Sequence, residues 1–262
     1  MYGYFRKSYD DVEGGYQGSE PLLYSGLEYE DTYMRWGFIR KVYGIVLSQA
    51  VLTILASLVV LFISPVRDFV VSNPAIVLLT VLLQLGVLCF LYCYRHSHPA
   101  NIILLGLWTI TFSVTIGATC AFVPGLVLLE ALLLVAAVVV SLTGYTFWAC
   151  RKGYGFSYLG PMLFSALIVL FIWSLIQIVI VPGPVGKFVY ALVGSLLFSL
   201  YIVYDTDNLI NGYDYDEYVW ASVALYLDIA NLFVLLLDAV RGLPQTGSRR
   251  RLFDEDQMQG GG

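Results

Sequence analysis

The sequence predicts an all-α integral membrane protein, and three observations support that class. Hydrophobic residues make up 59% of the 262 residues, whereas charged residues make up only 13%. A soluble domain is about one-quarter charged. The mean hydropathy is +0.77. Seven separate apolar runs are each long enough to cross a hydrocarbon core about 30 Å thick.

The apolar runs follow one another along the chain with short breaks. They cover approximately residues 42–64, 73–94, 101–123, 125–148, 157–181, 186–206 and 219–240. The breaks carry turn residues, namely Ser64-Pro65, Asn73-Pro74, His98-Pro99, Pro124-Gly125 and Pro182-Gly183-Pro184. The third and fourth runs, and the fifth and sixth, are joined by very short connections. Each of these two pairs is therefore predicted to form antiparallel neighbours.

Both ends of the chain are polar. Residues 1–34 are rich in Tyr, Gly, Glu and Asp without sustained periodicity, and they are predicted to form a disordered cytosolic tail. Residues 35–243 form the expected membrane domain, and residues 244–262 form a polar C-terminal tail. The N-terminal segment has no apolar core typical of a signal peptide. The first membrane helix is therefore expected to act as an uncleaved signal anchor.

The positions of Lys and Arg predict the orientation in the membrane. With a cytosolic N-terminus, the cytosolic side receives Arg6, Lys7, Arg35, Arg40, Lys41, Arg95, Arg151 and Lys152. The loops on the other side receive only Arg67 and Lys187. The N-terminal tail and the loops at 95–100 and 149–156 are therefore expected to face the cytosol.

The C-terminal tail does not fit this count. Arg241 and Arg249–Arg251 would lie on the opposite side of the membrane after seven crossings. Either the tail departs from the rule, or the last run is re-entrant and returns the tail to the cytosol. Of these two topologies, we favour seven crossings.

The last apolar run carries a carboxylate near its middle. Asp228 is the tenth residue of the run 219–240, which places it roughly 14 Å from the start of a helix. A charge at that depth costs at least about 2.5–3.5 kcal/mol and normally has a partner and a task. A second acid, Asp205, closes the preceding run. Two intramembrane acids on consecutive helices predict a proton-sensitive or cation-handling site.

Other polar residues near this site each have a structural alternative. Asn231 projects from nearly the same helix face as Asp228, but the two side chains can also serve only interhelical hydrogen bonds. Arg95, at the end of the second run, either snorkels to the interface or bends inward to pair with a carboxylate. Glu130 lies one turn into the fourth run, where we expect an aqueous vestibule. With Asn231 and Asp207, it is a candidate position along an ion path.

Several other functions are disfavoured. The chain has only two histidines, His96 and His98, so a multi-histidine metal site is implausible. The net charge of −5 argues against nucleic acid as a partner. Intramembrane aspartyl proteases combine Tyr-Asp with Gly-x-Gly-Asp, but residues 225–228 read Leu-Tyr-Leu-Asp. The sequence therefore predicts no enzyme, no bound cofactor and no resident metal.

One helix face carries a hydroxyl stripe with a less specific meaning. Thr111, Thr115 and Thr119 are spaced four residues apart in the third run. Such a stripe could line a cation path. It more often forms hydrogen bonds to the helix's own carbonyls or to a neighbouring helix, and we favour that interpretation.

Four stretches resemble the transmembrane BAX inhibitor motif family, in its lifeguard branch. They read RWGFIRKVYGIVLSQ in the first run, HPANIILLGLWTITFS in the third, VGSLLFSLYIVYDTDNLI in the sixth and ALYLDIANLFVLLL in the last. The similarity covers roughly residues 34–243, and the last two stretches are the specific ones.

The resemblance implies seven helices, with the last helix central and wrapped by the other six. It also implies a pH-sensitive calcium leak, with Ca²⁺ as the permeating ion, that suppresses programmed cell death from the endoplasmic reticulum or Golgi. The vacuolar and plasma membranes are alternatives. Two family aspartates form a hydrogen-bonded pair that an arginine from helix two engages. The aspartates match Asp205 and Asp228, and the arginine matches Arg95, with His96 or Ser97 as alternatives.

Elementary electrostatics makes a paired site reasonable. Two carboxylates about 4 Å apart repel by about 4 kcal/mol at an effective dielectric near 20. They are therefore expected to share a proton and to titrate as a coupled pair. A neighbouring arginine would favour the ionised form and could latch the helices together, and protonation would weaken that latch.

The alternative function is a membrane scaffold that transports nothing. In that case the aspartates only hold the bundle together, and the polar tails recruit cell-death or calcium-handling membrane proteins. Flux of Ca²⁺ through the purified protein separates this hypothesis from the leak.

Overall fold

The structure, a computed structural model, describes residues 21–95, 97–121 and 123–242. Within these ranges it contains eight α-helices and no strand, which confirms the all-α prediction. The helices are α1 (Pro21–Phe62), α2 (Ser64–Ser72), α3 (Pro74–Cys93), α4 (Ala100–Cys120), α5 (Gly125–Arg151), α6 (Gly160–Val179), α7 (Pro184–Asn211) and α8 (Tyr218–Gly242). Short 3₁₀ turns precede α6 and α8, at Ser157–Leu159 and Tyr215–Glu217.

Six helices in the described part of the chain are long and apolar enough to cross a membrane. They are Tyr33–Phe62, Ala100–Cys120, Gly125–Arg151, Ser157–Val179, Pro184–Asn211 and Tyr215–Gly242. The expected second crossing corresponds to α3, in which Leu78–Cys93 forms a shorter apolar stretch. The chain is therefore an integral membrane protein, but the predicted count of seven crossings is not confirmed.

Two stretches near the N-terminus are more helical than the sequence indicated. Helix α1 begins at Pro21, inside the segment predicted as a tail. A proline fits the first turn of a helix because that position needs no backbone N–H. The nine-residue α2 replaces an expected break, with its own proline at the start. The half-buried Val66 and the buried Val70, four residues apart, give α2 an apolar face. Residues 1–20 and the predicted tail at 244–262 lie outside the described residues.

The last helix is the most buried of the six candidate spans. In α8, 61% of the most apolar window is buried, against 39% in α4, the next highest. The core around α8 takes buried side chains from α1, α3, α4, α5 and α7, among them Val42, Leu91, Trp108, Val135 and Ile202. By contrast, α6 packs on α7 through Leu163, Leu170 and Leu197. The prediction that the other six membrane helices surround the last one is therefore not confirmed.

Helices α1 and α4 meet through facing stripes of polar and small residues, which we call the α1–α4 ladder. It comprises Gln49, Thr53 and Ser57 on α1 and Thr109, Ser113 and Gly117 on α4. Gln49 Nε2 donates to Thr109 Oγ1 at 3.1 Å, and Ser113 Oγ lies 3.1 Å from Thr53 Oγ1. Thr53 also hydrogen-bonds the Tyr226 hydroxyl of α8. The ladder therefore connects three helices inside the membrane domain.

The hydroxyl stripe singled out in the sequence is different from the ladder. Thr111 donates to the Trp108 carbonyl at 2.9 Å, and Thr119 donates to the Thr115 carbonyl at 3.0 Å. Both hydroxyls thus bond within their own helix, which agrees with the structural interpretation of the stripe.

Gly117 lies where α1 and α4 approach each other closely. A Cβ at this position would lie 3.1 Å from Val60 Cγ2 and 3.3 Å from the Ser57 Cα. The second contact is to backbone, so a side-chain rotation cannot relieve it. Gly106, on the same helix, would have nothing within 4 Å of an added Cβ.

We predict that Gly117→Ala lowers the melting temperature of the purified protein in detergent. Alanine gains about 1 kcal/mol of helix propensity over glycine, but overpacking at the α1–α4 contact costs about 1–3 kcal/mol. The matched control, Gly106→Ala, gains the propensity alone and should melt at the same or a higher temperature. Equal melting temperatures for the two variants would contradict the packing described here.

Candidate functional site

The structure brings Asp205 and Asp228 together between α7 and α8. Their carboxyl groups lie within hydrogen-bonding distance of each other. Both residues are buried, with 9% and 6% of their surface exposed. Helix α7 continues past Asp205 to Asn211, so the first acid lies inside a helix rather than at its end. The two carboxyls therefore form one site, which we call the carboxyl pair.

Close packing of α7 against α8 holds the carboxyl pair in place. Further along the same antiparallel interface, a Cβ on Gly194 would lie 2.9 Å from Leu235 Cδ1. A larger residue at position 194 would thus separate the helices unless Leu235 moved. The connection between α7 and α8 is also short, which keeps the helices adjacent at their other end.

The surroundings of the carboxyl pair are polar but incompletely hydrogen-bonded. Asn208, one turn beyond Asp205, hydrogen-bonds its carboxyl. Among the described residues, no N–H or O–H group donates to Asp228 Oδ2. The hydroxyl of Tyr43 on α1 lies near those of Thr143 and Thr206, yet all three lack a well-formed hydrogen bond within the described part of the chain. A contact between two carboxyls is a hydrogen bond only when one carries a proton, so the pair can hold a shared proton.

Tyr213 lies in the connection between α7 and α8. Burial raises the pKa of its phenol, and the nearby carboxyls of Asp205, Asp228 and Glu217 raise that pKa further. Both effects disfavour the phenolate. Tyr213 therefore stays neutral near the carboxyl pair at physiological pH.

Arg95 pairs with an acid that the sequence analysis did not select. Its Nη1 lies 3.7 Å from Oε1 of Glu217, in the 3₁₀ turn that leads into α8. Its guanidinium also lies over the Tyr92 ring, 4.9 Å from the centroid. The ion pair with Glu217 thus holds Arg95 at the start of α8. A contact between Arg95 and the carboxyl pair stays a prediction. Of the alternatives, His96 lies outside the described residues and Ser97 is exposed.

A second contact ties the same loop to α8. The ring of His98 stacks on Tyr218 with 5.6 Å between centroids, and its Nε2 hydrogen-bonds the Tyr218 hydroxyl. On α1, Lys41 Nζ lies 3.2 Å from the centroid of the Tyr218 ring. We call these contacts, together with Arg95–Glu217, the end ties. Glu217 and Tyr218 were missed because their partners are more than a hundred residues away in sequence, and no local pattern marks them.

Asp207 fastens a loop rather than facing the carboxyl pair. Its side chain is 2% exposed. Oδ2 accepts the backbone N–H of Phe156 at 2.8 Å, whereas Oδ1 accepts Asn211 Nδ2 at 2.8 Å and the Cys150 thiol at 3.3 Å. Both oxygens are thus engaged in holding the α5–α6 connection against α7. This geometry favours a structural role for Asp207, and its place on an ion path stays a prediction.

The remaining candidates lie on α5 and α8. Glu130 is half-buried on α5. Asn231 is half-buried on α8, and its Nδ2 donates to the Leu227 carbonyl at 2.9 Å, within the same helix. The role of both residues on an ion path stays a prediction. No three His, Cys, Asp or Glu side chains of the described chain are grouped so as to hold a metal ion.

We predict that Asp207→Asn loosens the α5–α6 connection. An amide keeps one acceptor oxygen and replaces the other with a donor, so one of the buried donors facing position 207 loses its partner. A buried unsatisfied group costs about 1–3 kcal/mol, and the melting temperature should fall by several degrees. Hydrogen exchange in the peptide that contains Phe156 should become faster. Asp214→Asn, at an exposed position after α7, is the control and should change neither quantity. Unchanged exchange at Phe156 would show that Asp207 does not fasten the loop.

Comparison with known proteins agrees with the motifs and the helical architecture. The family described as "Inhibitor of apoptosis-promoting Bax1" matches residues 35–243. Protein LIFEGUARD 4 of Arabidopsis thaliana is 48% identical over 235 residues, which cover 88% of this chain and 95% of that protein. LIFEGUARD 3 of the same plant is 47% identical over 237 residues, covering 89% and 95%. The Golgi anti-apoptotic protein of Vaccinia virus (strain Lister) is 38% identical over 205 residues, covering 78% and 85%. The chain therefore belongs to the Bax inhibitor family and is similar to its lifeguard proteins.

Proposed function

We propose that this protein is a pH-sensitive calcium leak of internal membranes and that it suppresses programmed cell death. The carboxyl pair inside the membrane domain is the observation that carries the proposal. The cell-death role is supported by the family description and by the Golgi anti-apoptotic protein of Vaccinia virus. The same name supports the Golgi as the compartment, with the endoplasmic reticulum as the alternative. The sequence contains no Walker A motif, so the proposed flux runs down the Ca²⁺ gradient without nucleotide.

The proposed pH response follows from the contact between Asp205 and Asp228. Two ionised carboxylates about 4 Å apart repel by about 4 kcal/mol at an effective dielectric near 20. With one shared proton, the same contact becomes a hydrogen bond across α7 and α8. The protonation state and the packing of these helices are therefore linked, because loss of the proton replaces attraction with repulsion. A change in that packing is the proposed means of altering the leak.

In the proposed topology α3 also crosses the membrane, which gives seven crossings. Its 20 residues correspond to about 30 Å of helix, the thickness of the hydrocarbon core. A cytosolic N-terminus then places the end ties on the cytosolic side. The last helix starts there and runs through the centre of the bundle with its carboxylate near mid-membrane. Cytosolic protons would thus reach the carboxyl pair from the end at which Tyr213 lies.

We predict that Asp205 and Asp228 act as one titrating unit. Asp228→Asn keeps the size and a hydrogen bond but removes the shared ionisation, so Ca²⁺ flux should persist while losing its pH dependence. Asp205→Asn should behave similarly, and the double variant should add little, because groups acting as a unit are non-additive. The measurement is Ca²⁺ flux into proteoliposomes as a function of pH.

The matched control for these variants is Asp238→Asn. Asp238 lies on the same helix, with a half-exposed side chain 3.6 Å from Arg241 Nη1, and its variant should keep the wild-type pH profile. If each single variant of the carboxyl pair also kept that profile, the aspartates would be structural contacts only. If proteoliposomes with well-folded wild-type protein took up no more Ca²⁺ than empty liposomes, the result would favour the scaffold that transports nothing.

A second prediction concerns the latch formed by Arg95. If the latch acts through Glu217, Arg95→Ala and Glu217→Gln should raise basal Ca²⁺ flux to the same extent. A partly exposed ion pair is worth about 0–1 kcal/mol, so the increase should stay below about fivefold. The double variant should show no further increase. A rise in Arg95→Ala alone would instead indicate that the arginine acts on the carboxyl pair.

A further inference from the structure

A cavity of about 170 Å³ lies between α1, α4, α5 and α8. It is separate from the carboxyl pair, and its walls are almost entirely apolar. They include Thr53, Ser57, Cys120, Val135, Tyr226 and Phe233. An engineered apolar cavity of about 150 Å³ stays dry and takes up benzene. The cavity is therefore large enough for an apolar ligand and is a poor site for water or ions.

The residues that line the cavity are spread along the helices. Its lining on α1 runs from Ala50 to Leu61, which corresponds to about 16 Å at 1.5 Å per residue. This length is comparable with half of a hydrocarbon core about 30 Å thick. The lining is thus long enough to contact a chain that lies in one leaflet of the bilayer.

The opening of the cavity faces the surrounding lipid rather than water. Three of its lining residues, Ile54, Leu58 and Leu132, are 47%, 38% and 38% exposed. All three are apolar and belong to membrane-spanning segments of α1 and α5. A molecule dissolved in the bilayer can therefore enter sideways between these two helices.

One polar group on the wall lacks a partner. Ser57 is 8% exposed, and its buried Oγ makes no hydrogen bond to any residue that the structure describes. The neighbouring Thr53 differs, because its hydroxyl donates to the Gln49 carbonyl at 2.9 Å and contacts Tyr226. A buried hydroxyl without a partner is costly. Ser57 could pair with one oxygen on an otherwise apolar ligand.

We propose that this cavity binds an elongated apolar molecule with a single hydrogen-bonding oxygen, such as a long-chain fatty alcohol, taken up from the bilayer. The oxygen pairs with the Ser57 hydroxyl, and the adjoining part of the hydrocarbon chain lies between α1 and the Tyr226–Phe233 face of α8. The rest of the chain extends through the opening into the bilayer. The ligand fills a gap between the first and last helices. Binding requires no ion flux, so this inference stands or falls independently of the calcium leak.

Photolabelling tests the location of the site. Purified protein in nanodiscs is irradiated with a diazirine derivative of dodecanol, and the labelled residues are identified by mass spectrometry. Labels should concentrate on cavity residues such as Cys120, Tyr226 and Phe233, and unlabelled dodecanol should suppress them. Labels spread evenly over the lipid-facing helices would overturn the proposal.

Substitutions that fill the cavity with a larger side chain provide a second test, with a matched control outside the cavity. Ala230→Leu on α8 places a larger side chain in the cavity and should reduce labelling to background. Ala50→Leu fills it from α1 and serves as a second, independent variant. Ala136→Leu makes the same exchange at an exposed position of α5 outside the cavity and should leave labelling unchanged. Undiminished labelling in both folded filling variants would overturn the proposal.

The role of Ser57 is tested by competition between dodecanol and dodecane. In the wild type, dodecanol should compete at a concentration about two- to tenfold lower than dodecane, which is the ratio expected for one net hydrogen bond. In Ser57→Ala the two competitors should become equivalent. Saturating dodecanol should also raise the melting temperature of the wild type by linkage, with a smaller rise in Ala230→Leu. Equal competition by the two molecules in the wild type would overturn the assigned ligand chemistry.

Discussion

The contact between Asp205 and Asp228 is the constraint on which the membrane domain depends. Two carboxyls can face each other in an apolar interior only when a shared proton or a countercharge offsets their repulsion. The fold keeps them together by packing α7 closely against α8, where Gly194 leaves room for Leu235. It also buries α8 more completely than the other candidate spans. A change in the charge of the pair therefore acts on the most buried of the candidate spans.

Polar contacts of a different kind hold the rest of α8. At its start, the end ties join it to the α3–α4 loop, where Arg95 and Glu217 are only partly buried. In its middle, the hydroxyl of Tyr226 bonds Thr53 of the α1–α4 ladder. Interhelical hydrogen bonds in membranes contribute about 0.6 kcal/mol on average, so each such contact orients α8 more than it stabilises it. Apolar packing supplies the remaining stability through the core that surrounds this helix.

The sequence was sufficient for the features that depend on local composition. Apolar runs located α1 and α3 to α8, and Asp228 was conspicuous because a carboxylate is rare within such a run. Helix α2 was missed because nine residues are too few for a clear helical pattern. Thr111, Thr115 and Thr119 form the most regular hydroxyl stripe in the sequence of α4, whereas the ladder uses Thr109 and Ser113. Both sets are spaced by four residues, and only the packing determines which face of α4 meets α1.

The partner of Arg95 could not be predicted from hydropathy or motif spacing. Its ion pair depends on the 3₁₀ turn at Tyr215–Glu217, which brings Glu217 to the start of α8. An arginine on the α3–α4 loop and a glutamate before α8 are separated by more than a hundred residues, so no local pattern connects them.

The carboxyl pair and the end ties hold α8 at different positions along its length. The pair lies within the helix, and the ties lie at its start. Asp207, two residues beyond Asp205, adds a third restraint because it fastens the α5–α6 connection to α7. Helix α7 is thus held from the side of α5, and the core around α8 takes side chains from α1, α3, α4 and α5 as well as from α7. Because Asp205 is on α7 and Asp228 is on α8, a change in the charge of the pair acts directly on the contact between these two helices.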